Sequence, residues 1–307
     1  MRNAEQPAVN GVLCVDKPAE MTSFLCCAIF RRLLGIKKIG HGGTLDPMAT
    51  GVLPLLCGNA TRAMDILPVK QKRYVASFRL GYTSDTQDVW GAVQPTGATL
   101  PGATLPGADA VETALSRFRG EIKQIPPMTS ALKRDGVRLY ELARQGVEIE
   151  REPRPITVYE LTLLNYDEQT GEGTFDCLVS GGTYVRTICH DLGQALGTGA
   201  VMTALRRTMA AGYPLSDCLT LEAARAMSPE ALKAHLKPTE SAFEVYPKVT
   251  VTDAQAIRFK NGGSLALDRL PRGLSGETPL RVLAPNGAFL GLGQAEADEL
   301  SVLKLFP

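Results

Sequence analysis

Residues 73–81, RYVASFRLG, alternate without a break, so Tyr74, Ala76, Phe78 and Leu80 share one face of a strand. Around this strand the chain switches repeatedly between strand-like and helical patterns. GVLCVDKP (Gly11–Pro18), GVLPLLCG, RPITVYELTLLNY and GTFDCLVSGGTYVRTI read as strands. SFLCCAIFRRLLG reads as a helix, with Ser23 as its N-cap and Gly35 as its stop. DAVETALSRFRG, CHDLGQALG, VMTALRRTMAAG, TLEAARAMSPEALKAHL and a segment from Asn59 also read as helical. Periodicity therefore gives a mixed α and β chain. From about Val245 the texture changes to short β runs, KVTV, LRVLAP and GAFLGLGQ, separated by Gly, Pro and Asn turns. A small β-rich C-terminal domain is expected there, with the boundary near Pro238–Pro247.

Composition narrows the class. At 307 residues, 44% hydrophobic and 21% charged, the chain can build a core of normal size. No apolar run approaches the ~20 residues needed to cross a bilayer. The opening MRNAEQPAVN lacks the apolar stretch of a signal peptide, so a cytoplasmic location is expected. The seven cysteines are odd in number and contain no C-x-x-C pair, which points to reduced thiols rather than a zinc site or a disulfide framework. Charge is uneven: residues 1–80 hold 11 Lys/Arg against 5 Asp/Glu, and the remainder 22 against 27. A basic front quarter can meet a polyanion.

The segment GHGGTLDPMATG (Gly40–Gly51) is a glycine-rich loop that contains an acid. No Lys-Ser or Lys-Thr follows its glycines, which excludes a P-loop. A hydrolase oxyanion loop would need a G-x-S-x-G elbow, and the nearest stretch, GLSGE (Gly273–Glu277), lacks the second glycine. A metal site built on His41 and the pair His190-Asp191 lacks a fourth ligand. Two roles remain open to Asp46. It caps a helix that begins at Pro47, or it is a nucleophile held ionised by a nearby cation. The tandem GATLP repeat within Thr96–Ala110 reads as a surface insertion without chemistry.

The loop has company. GHGGTLDPMATGVL resembles the G-H-x-G-T-L-D-P-x-A-x-G-x-L motif of the TruB-type tRNA pseudouridine synthases. GVLCVDKPAEMTS, KRYVASFRLGYTSDTQDVWG, IPPMTSALKRDGVRLYELARQG, REPRPITVYEL and SGGTYVRTICHDLG resemble further blocks of that family, in order, across residues 11–215. The resemblance implies a pseudouridine synthase catalytic domain over 1–240, α/β (α+β), with a central mixed, largely antiparallel sheet and an RNA-binding flap near 125–152. It further implies a small PUA-like β-barrel over 245–307.

The resemblance also assigns roles. Asp46 becomes the nucleophile that isomerises uridine-55 of the tRNA T loop, attacking C1′ of the ribose or C6 of the uracil. Tyr74 stacks on the flipped base, Arg186 pairs with Asp46, and Tyr184 lies beside the base. On a strand Tyr184 and Arg186 would share a face. Leu205 packs near the target base, His41 meets extruded nucleotides, Lys17 supports the active-site loop, and Asp85 joins a charge network with Arg186. Phosphate contacts fall to Arg31, Arg32, Lys37, Lys38, Arg62, Lys70, Lys72 and Arg73. No cofactor and no metal are needed. The partner is tRNA, through its T arm and acceptor stem, with no membrane, no obligate protein partner, and a monomeric chain.

Three features depart from the family pattern. Glu20 stands where the family has glycine, and a positive φ there would strain it. Thr129 replaces a tyrosine, and the GATLP repeat is inserted. All three are expected to leave Asp46, Tyr74, Tyr184 and Arg186 untouched. A guide-RNA-dependent synthase and a non-catalytic RNA-binding protein are the rival readings.

Overall fold

The computed structural model describes residues 9–271 and 276–306, so most of the opening MRNAEQPAVN and Gly273–Ser275 of GLSGE lie outside the described residues. The chain runs β1 (Gly11–Lys17), α1 (Ser23–Leu34), β2 (Ile39–His41), β3 (Thr50–Cys57), β4 (Lys72–Leu80), α2 (Ala108–Ser116) and β5 (Gly120–Gln124). It continues through α3 (Leu139–Arg144), β6 (Arg154–Asp167), β7 (Glu172–Val179), α4 (Val185–Ala195), β8 (Ala200–Ala210), β9 (Tyr213–Pro214) and β10 (Leu219–Thr220). These ten strands form one sheet in the order β10–β1–β3–β8–β4–β7–β6–β5, with β2 also paired to β3 and β9 to β8. Only the β1–β10 and β3–β8 pairings are parallel, so the sheet is mixed and largely antiparallel as expected.

The alternation of β4 does what its sequence demands. Tyr74, Ala76, Phe78 and Leu80 are buried in a core shared with Cys26, Cys27 and Phe30 of α1, Val111 and Leu115 of α2, and Ile188 and Leu192 of α4. Helices cover that face of the sheet. On β1 and β3 the opposite face is buried as well, since Val12, Cys14, Val52 and Leu56 belong to a second core. Leu292 and Phe306, from the end of the chain, sit in that same core.

A second sheet of five strands is built from β11 (Lys248–Thr250), β12 (Leu265–Ala266), β13 (Leu280–Leu283), β14 (Phe289–Glu296) and β15 (Glu299–Leu305), in the order β11–β13–β14–β15–β12. It carries its own core around Val249, Phe259, Val282 and Leu300. This is the β-rich C-terminal unit that the change of texture after Val245 foretells.

Several local readings are corrected. VMTALRRTMAAG is not helical: residues 200–210 form β8, near the centre of the sheet. Ala, Leu, Met and Arg favour helices, but pairing with β4 along nearly the whole segment overrides that preference. Helix α4 begins at Val185, earlier than CHDLGQALG implies, so Tyr184 is its N-cap and Arg186 lies in its first turn. The two do not share a strand face. The cap of α1 is Thr22, whose side chain accepts from the Leu25 amide, not Ser23. The segment at Asn59 forms a 3-10 helix over Gly58–Ala63. No helix follows Asp46-Pro47, and residues 42–49 are irregular. The helix-cap role of Asp46 therefore falls away.

Candidate active site

Asp46 hangs on a loop between β2 and β3 that is held from three sides. From the sheet, Arg207 of β8, fully buried, donates Nε to Val52 O at 2.7 Å, Nη1 to Thr44 O at 3.1 Å and Nη2 to Gly43 O at 3.1 Å. From α1, Ser23 Oγ accepts from the Leu45 amide at 2.9 Å and donates to the Leu45 carbonyl at 3.0 Å. From β1, Lys17 Nζ, also fully buried, donates to Pro18 O (2.8 Å), Met21 O (2.7 Å) and Pro47 O (3.3 Å). Burial pushes the Lys17 ammonium down to about 8, against the nearby Asp46 charge, which favours its charged form. Lys17 thus reaches the loop through the Pro47 carbonyl.

Asp46 opens onto a cavity of about 260 Å³ whose walls include Lys72, Tyr74, Tyr184, Arg186 and Leu205. Tyr74 is nine-tenths buried on β4, opposite Arg207 of β8 in register. Burial raises the Tyr74 pKa, which keeps the phenol protonated. Tyr184 is fixed through its backbone by the buried Gln124, which accepts from the Tyr184 amide at 2.9 Å and donates to its carbonyl at 3.0 Å. Leu205 lies two residues before Arg207 on β8, on the same side of the strand. Asp46, Tyr74, Tyr184, Arg186 and Leu205, expected as a group, converge here.

Arg186 donates Nη2 to Asp46 Oδ2 at 2.5 Å and Nη1 to Thr129 Oγ1 at 3.0 Å. Its second carboxylate is Asp88, at 3.4 Å, and not Asp85. Asp85 instead accepts from the Ala92 amide at 2.7 Å. Thr129, expected to be remote from the site, touches Arg186 directly. Burial raises the Asp46 pKa, Arg186 opposes that rise, and Asp88 adds to it. The net direction is upward, so the arginine limits the perturbation and does not reverse it. The Asp46 side chain stays 37% exposed through the cavity mouth, within reach of a ligand.

A larger cavity of about 1310 Å³ adjoins the first and shares Asp46. His41 borders it, with Nδ1 buried and without a hydrogen-bond partner among the described residues, and burial lowers its pKa, which favours the neutral ring. Lys133, Arg138, Arg144 and Arg151 of the 125–152 segment face it too, with Glu148 paired to Arg151 at 3.0 Å, so cations predominate on that wall. Sequence reasoning missed Asp88 and Arg207. Asp88 sits in a run with Asp85 and offers no spacing that separates the two. Arg207 had a signal: read as a strand, residues 200–210 put it on the face of Leu205.

The arrangement can present a carboxylate, paired to a cation, to a flat ligand of modest size lying between tyrosines. The cavity is below the ~300 Å³ at which drug-sized sites begin, which suits one nucleotide unit.

A model of the TruB family pseudouridylate synthase N-terminal domain matches residues 31–185, and one of the tRNA pseudouridylate synthase B C-terminal domain matches 186–244. The tRNA pseudouridine synthase B of Syntrophotalea carbinolica is 44% identical over 282 residues, covering 91% of this chain and 90% of that protein. That of Azoarcus sp. is 42% identical over 308 residues, covering 99% and 97%. Among solved structures, a Cbf5-Nop10-Gar1 complex aligns with a TM-score of 0.71 at 27% identity, over 97% of this chain and 85% of the other. An H/ACA RNP bound to a substrate RNA containing 2′-deoxyuridine aligns at 0.72 and 25%, with the same coverage. With matching models over residues 31–244 and relatives along nearly its full length, this chain belongs to the TruB family of pseudouridylate synthases.

Proposed function

We propose that this chain is a tRNA pseudouridine synthase that converts uridine-55 of the T loop to pseudouridine, with Asp46 as its nucleophile. The observation that carries the reading is the placement of Asp46 at the mouth of a nucleotide-sized cavity, hydrogen-bonded to Arg186 and flanked by Tyr74 and Tyr184. The names of the relatives support the substrate class.

The chemistry is an isomerisation that balances without a co-reactant. The N1–C1′ bond breaks, the uracil turns, C5 bonds to C1′, C5 loses a proton and N1 gains one. The Asp46 carboxylate serves this by attacking C1′ and leaving as C5 returns, or by adding to C6 and eliminating at the end. A uridine stacked inside an RNA arm must first be extruded, at a cost of a few kcal/mol. Tyr74 and Tyr184 replace part of the lost stacking. Lys72, pushed down to about 8 by burial, and the cationic wall of the larger cavity take the phosphates. The 125–152 segment acts as the flap on the T arm, residues 245–307 form a PUA-like domain reaching toward the acceptor stem, and the chain works as a monomer. Free cysteines at all seven positions suit work in the cytoplasm.

The test is direct. The pure protein, with chelator present, is incubated with unmodified tRNA transcript, and pseudouridine is mapped by nucleoside mass spectrometry and chemical-block primer extension. Modification confined to the T loop and lost in Asp46→Asn is the expected result. Modification elsewhere removes the target assignment, and tight binding without modification removes the enzyme. A requirement for added protein or guide RNA would favour the guided type.

A further inference from the structure

Of the nine phenylalanines, Phe24 alone is left in solvent, 70% exposed. Its neighbours in sequence make this placement rigid. Thr22 caps the helix, and Ser23 is locked by two hydrogen bonds to Leu45, the residue before Asp46. Phe24 therefore keeps a set position relative to Asp46. It borders the larger cavity together with His41 and Asp46. Arg31, about two helical turns later, holds its guanidinium 5.7 Å from the centre of the ring while donating Nη2 to Ile39 O at 3.2 Å, two residues before His41.

An aromatic ring left in water costs apolar hydration, and the Arg31 guanidinium beside it leaves 70% of Phe24 exposed. The surroundings narrow what covers it. The cavity lining sets Lys133, Arg138, Arg144 and Arg151 against Asp46, Asp85 and Glu148, the last paired with Arg151 at 3.0 Å, so Lys133, Arg138 and Arg144 are left to face an anionic occupant such as a polyanion. A polyanion that also presents flat rings is a nucleic acid. A Phe ring backed by a guanidinium is a stacking platform of the kind that holds unpaired bases whatever their identity.

We propose that Phe24 stacks on a base of the RNA substrate next to the nucleotide held at Asp46, with Arg31 supporting the ring. This inference rests on the reading of the chain as a tRNA-modifying enzyme. It assigns to Phe24 a positioning role and no part in bond making.

The experiment measures both the Kd for unmodified tRNA transcript and the initial rates of pseudouridine formation, for the wild type, Phe24→Ala, Phe24→Leu and Phe24→Trp. Phe24→Ala is expected to raise Kd and KM by roughly 5- to 100-fold, the range for losing one stacked base, while kcat at saturating RNA changes far less. Phe24→Leu keeps apolar area but no flat ring, and should fail nearly as badly. Phe24→Trp should bind at least as well as the wild type. Thermal stability should be the same in all four proteins, since the side chain is exposed.

Unchanged Kd in Phe24→Ala overturns the proposal. So does wild-type affinity in Phe24→Leu, which would reduce the contact to general apolarity, and so does a loss of affinity that tracks a loss of stability. The Kd arm separates this inference from the proposed function: Phe24-dependent binding by a wild type that forms no pseudouridine would sink the enzyme and leave the platform standing.

Discussion

Asp46 and Asp88 share one arginine: Arg186 reaches Asp46 Oδ2 through Nη2 at 2.5 Å and Asp88 Oδ2 through Nη1 at 3.4 Å. Asp88 is not a free charge, since its Oδ1 also accepts from Thr86 Oγ1 at 2.7 Å and the Trp90 amide at 3.0 Å. It raises the Asp46 pKa while Arg186 lowers it. The two neighbours should therefore move the acid limb of the pH–rate profile in opposite directions. Asp88→Asn keeps both Oδ1 bonds and removes the like charge, so the limb in kcat/KM moves to lower pH. Arg186→Gln moves it to higher pH and cuts kcat by about 100-fold or more, as loss of a charge-stabilising donor does elsewhere. Shifts in the same direction would disprove the shared-arginine account.

Asp46→Asn should lose pseudouridine formation by more than ~10³-fold while keeping tRNA binding. It should also melt higher at neutral pH. A carboxyl whose folded pKa is raised contributes its full stability below the unfolded value and loses it as pH rises through the folded one. At neutral pH the charged Asp46 is therefore a burden that the amide relieves. Melting curves at pH 7 and near pH 4 check this, with the gain expected only at the higher pH.

Arg207 should behave as a positioning residue. Arg207→Met leaves the carbonyls of Gly43, Thr44 and Val52 without their donor, at roughly 1–3 kcal/mol for each one left buried. The expected outcome is a lower midpoint in urea and a fall in kcat larger than the rise in KM, since the loop carrying Asp46 loses its anchor. A variant that melts earlier yet turns over normally would show that the loop holds itself.

Gly51 should tolerate no side chain. Its φ is +103°, and a Cβ there would come within 2.1 Å of the Arg207 carbonyl oxygen across the β3–β8 pairing. Neighbouring backbone cannot give way by that much. Gly51→Ala is expected to cost about 3 kcal/mol or more, read as a drop in denaturation midpoint.

Glu20 offers the opposite case. It holds φ +60° in a turn that the family fills with glycine. Relief of the left-handed strain, ~1–2 kcal/mol, is partly offset by the greater freedom of glycine in the unfolded chain. Glu20→Gly should therefore raise stability by about 1 kcal/mol or less, with activity unchanged.

Legibility in the sequence followed the range of the interactions. The alternation of β4 and the apolar faces of α1 and α2 are local patterns, and the structure keeps them. The segment 200–210 was misread because its composition favours a helix, while its strand state comes from β4, more than a hundred residues earlier. The site divided along the same line. Asp46, Tyr74, Tyr184, Arg186 and Leu205 were found through motifs. Asp88 displaced Asp85, and Thr129 entered the site, because both depend on where one guanidinium points in space. Arg207 was hidden by the helix reading, and the Pro47 helix was inferred from a dipeptide that merely makes a turn.

The anchoring of the Asp46 loop also carries a schedule. Arg207 follows the carbonyls that it holds by 163 and 164 residues. A ribosome adding about 5–20 residues per second needs roughly 8–30 s to cover that interval. Throughout that time the nascent loop exists without its clasp. A chain that stops short of β8 keeps the holds from Ser23 and Lys17 but never gains the one from the sheet, so the last anchor of the loop waits on late synthesis.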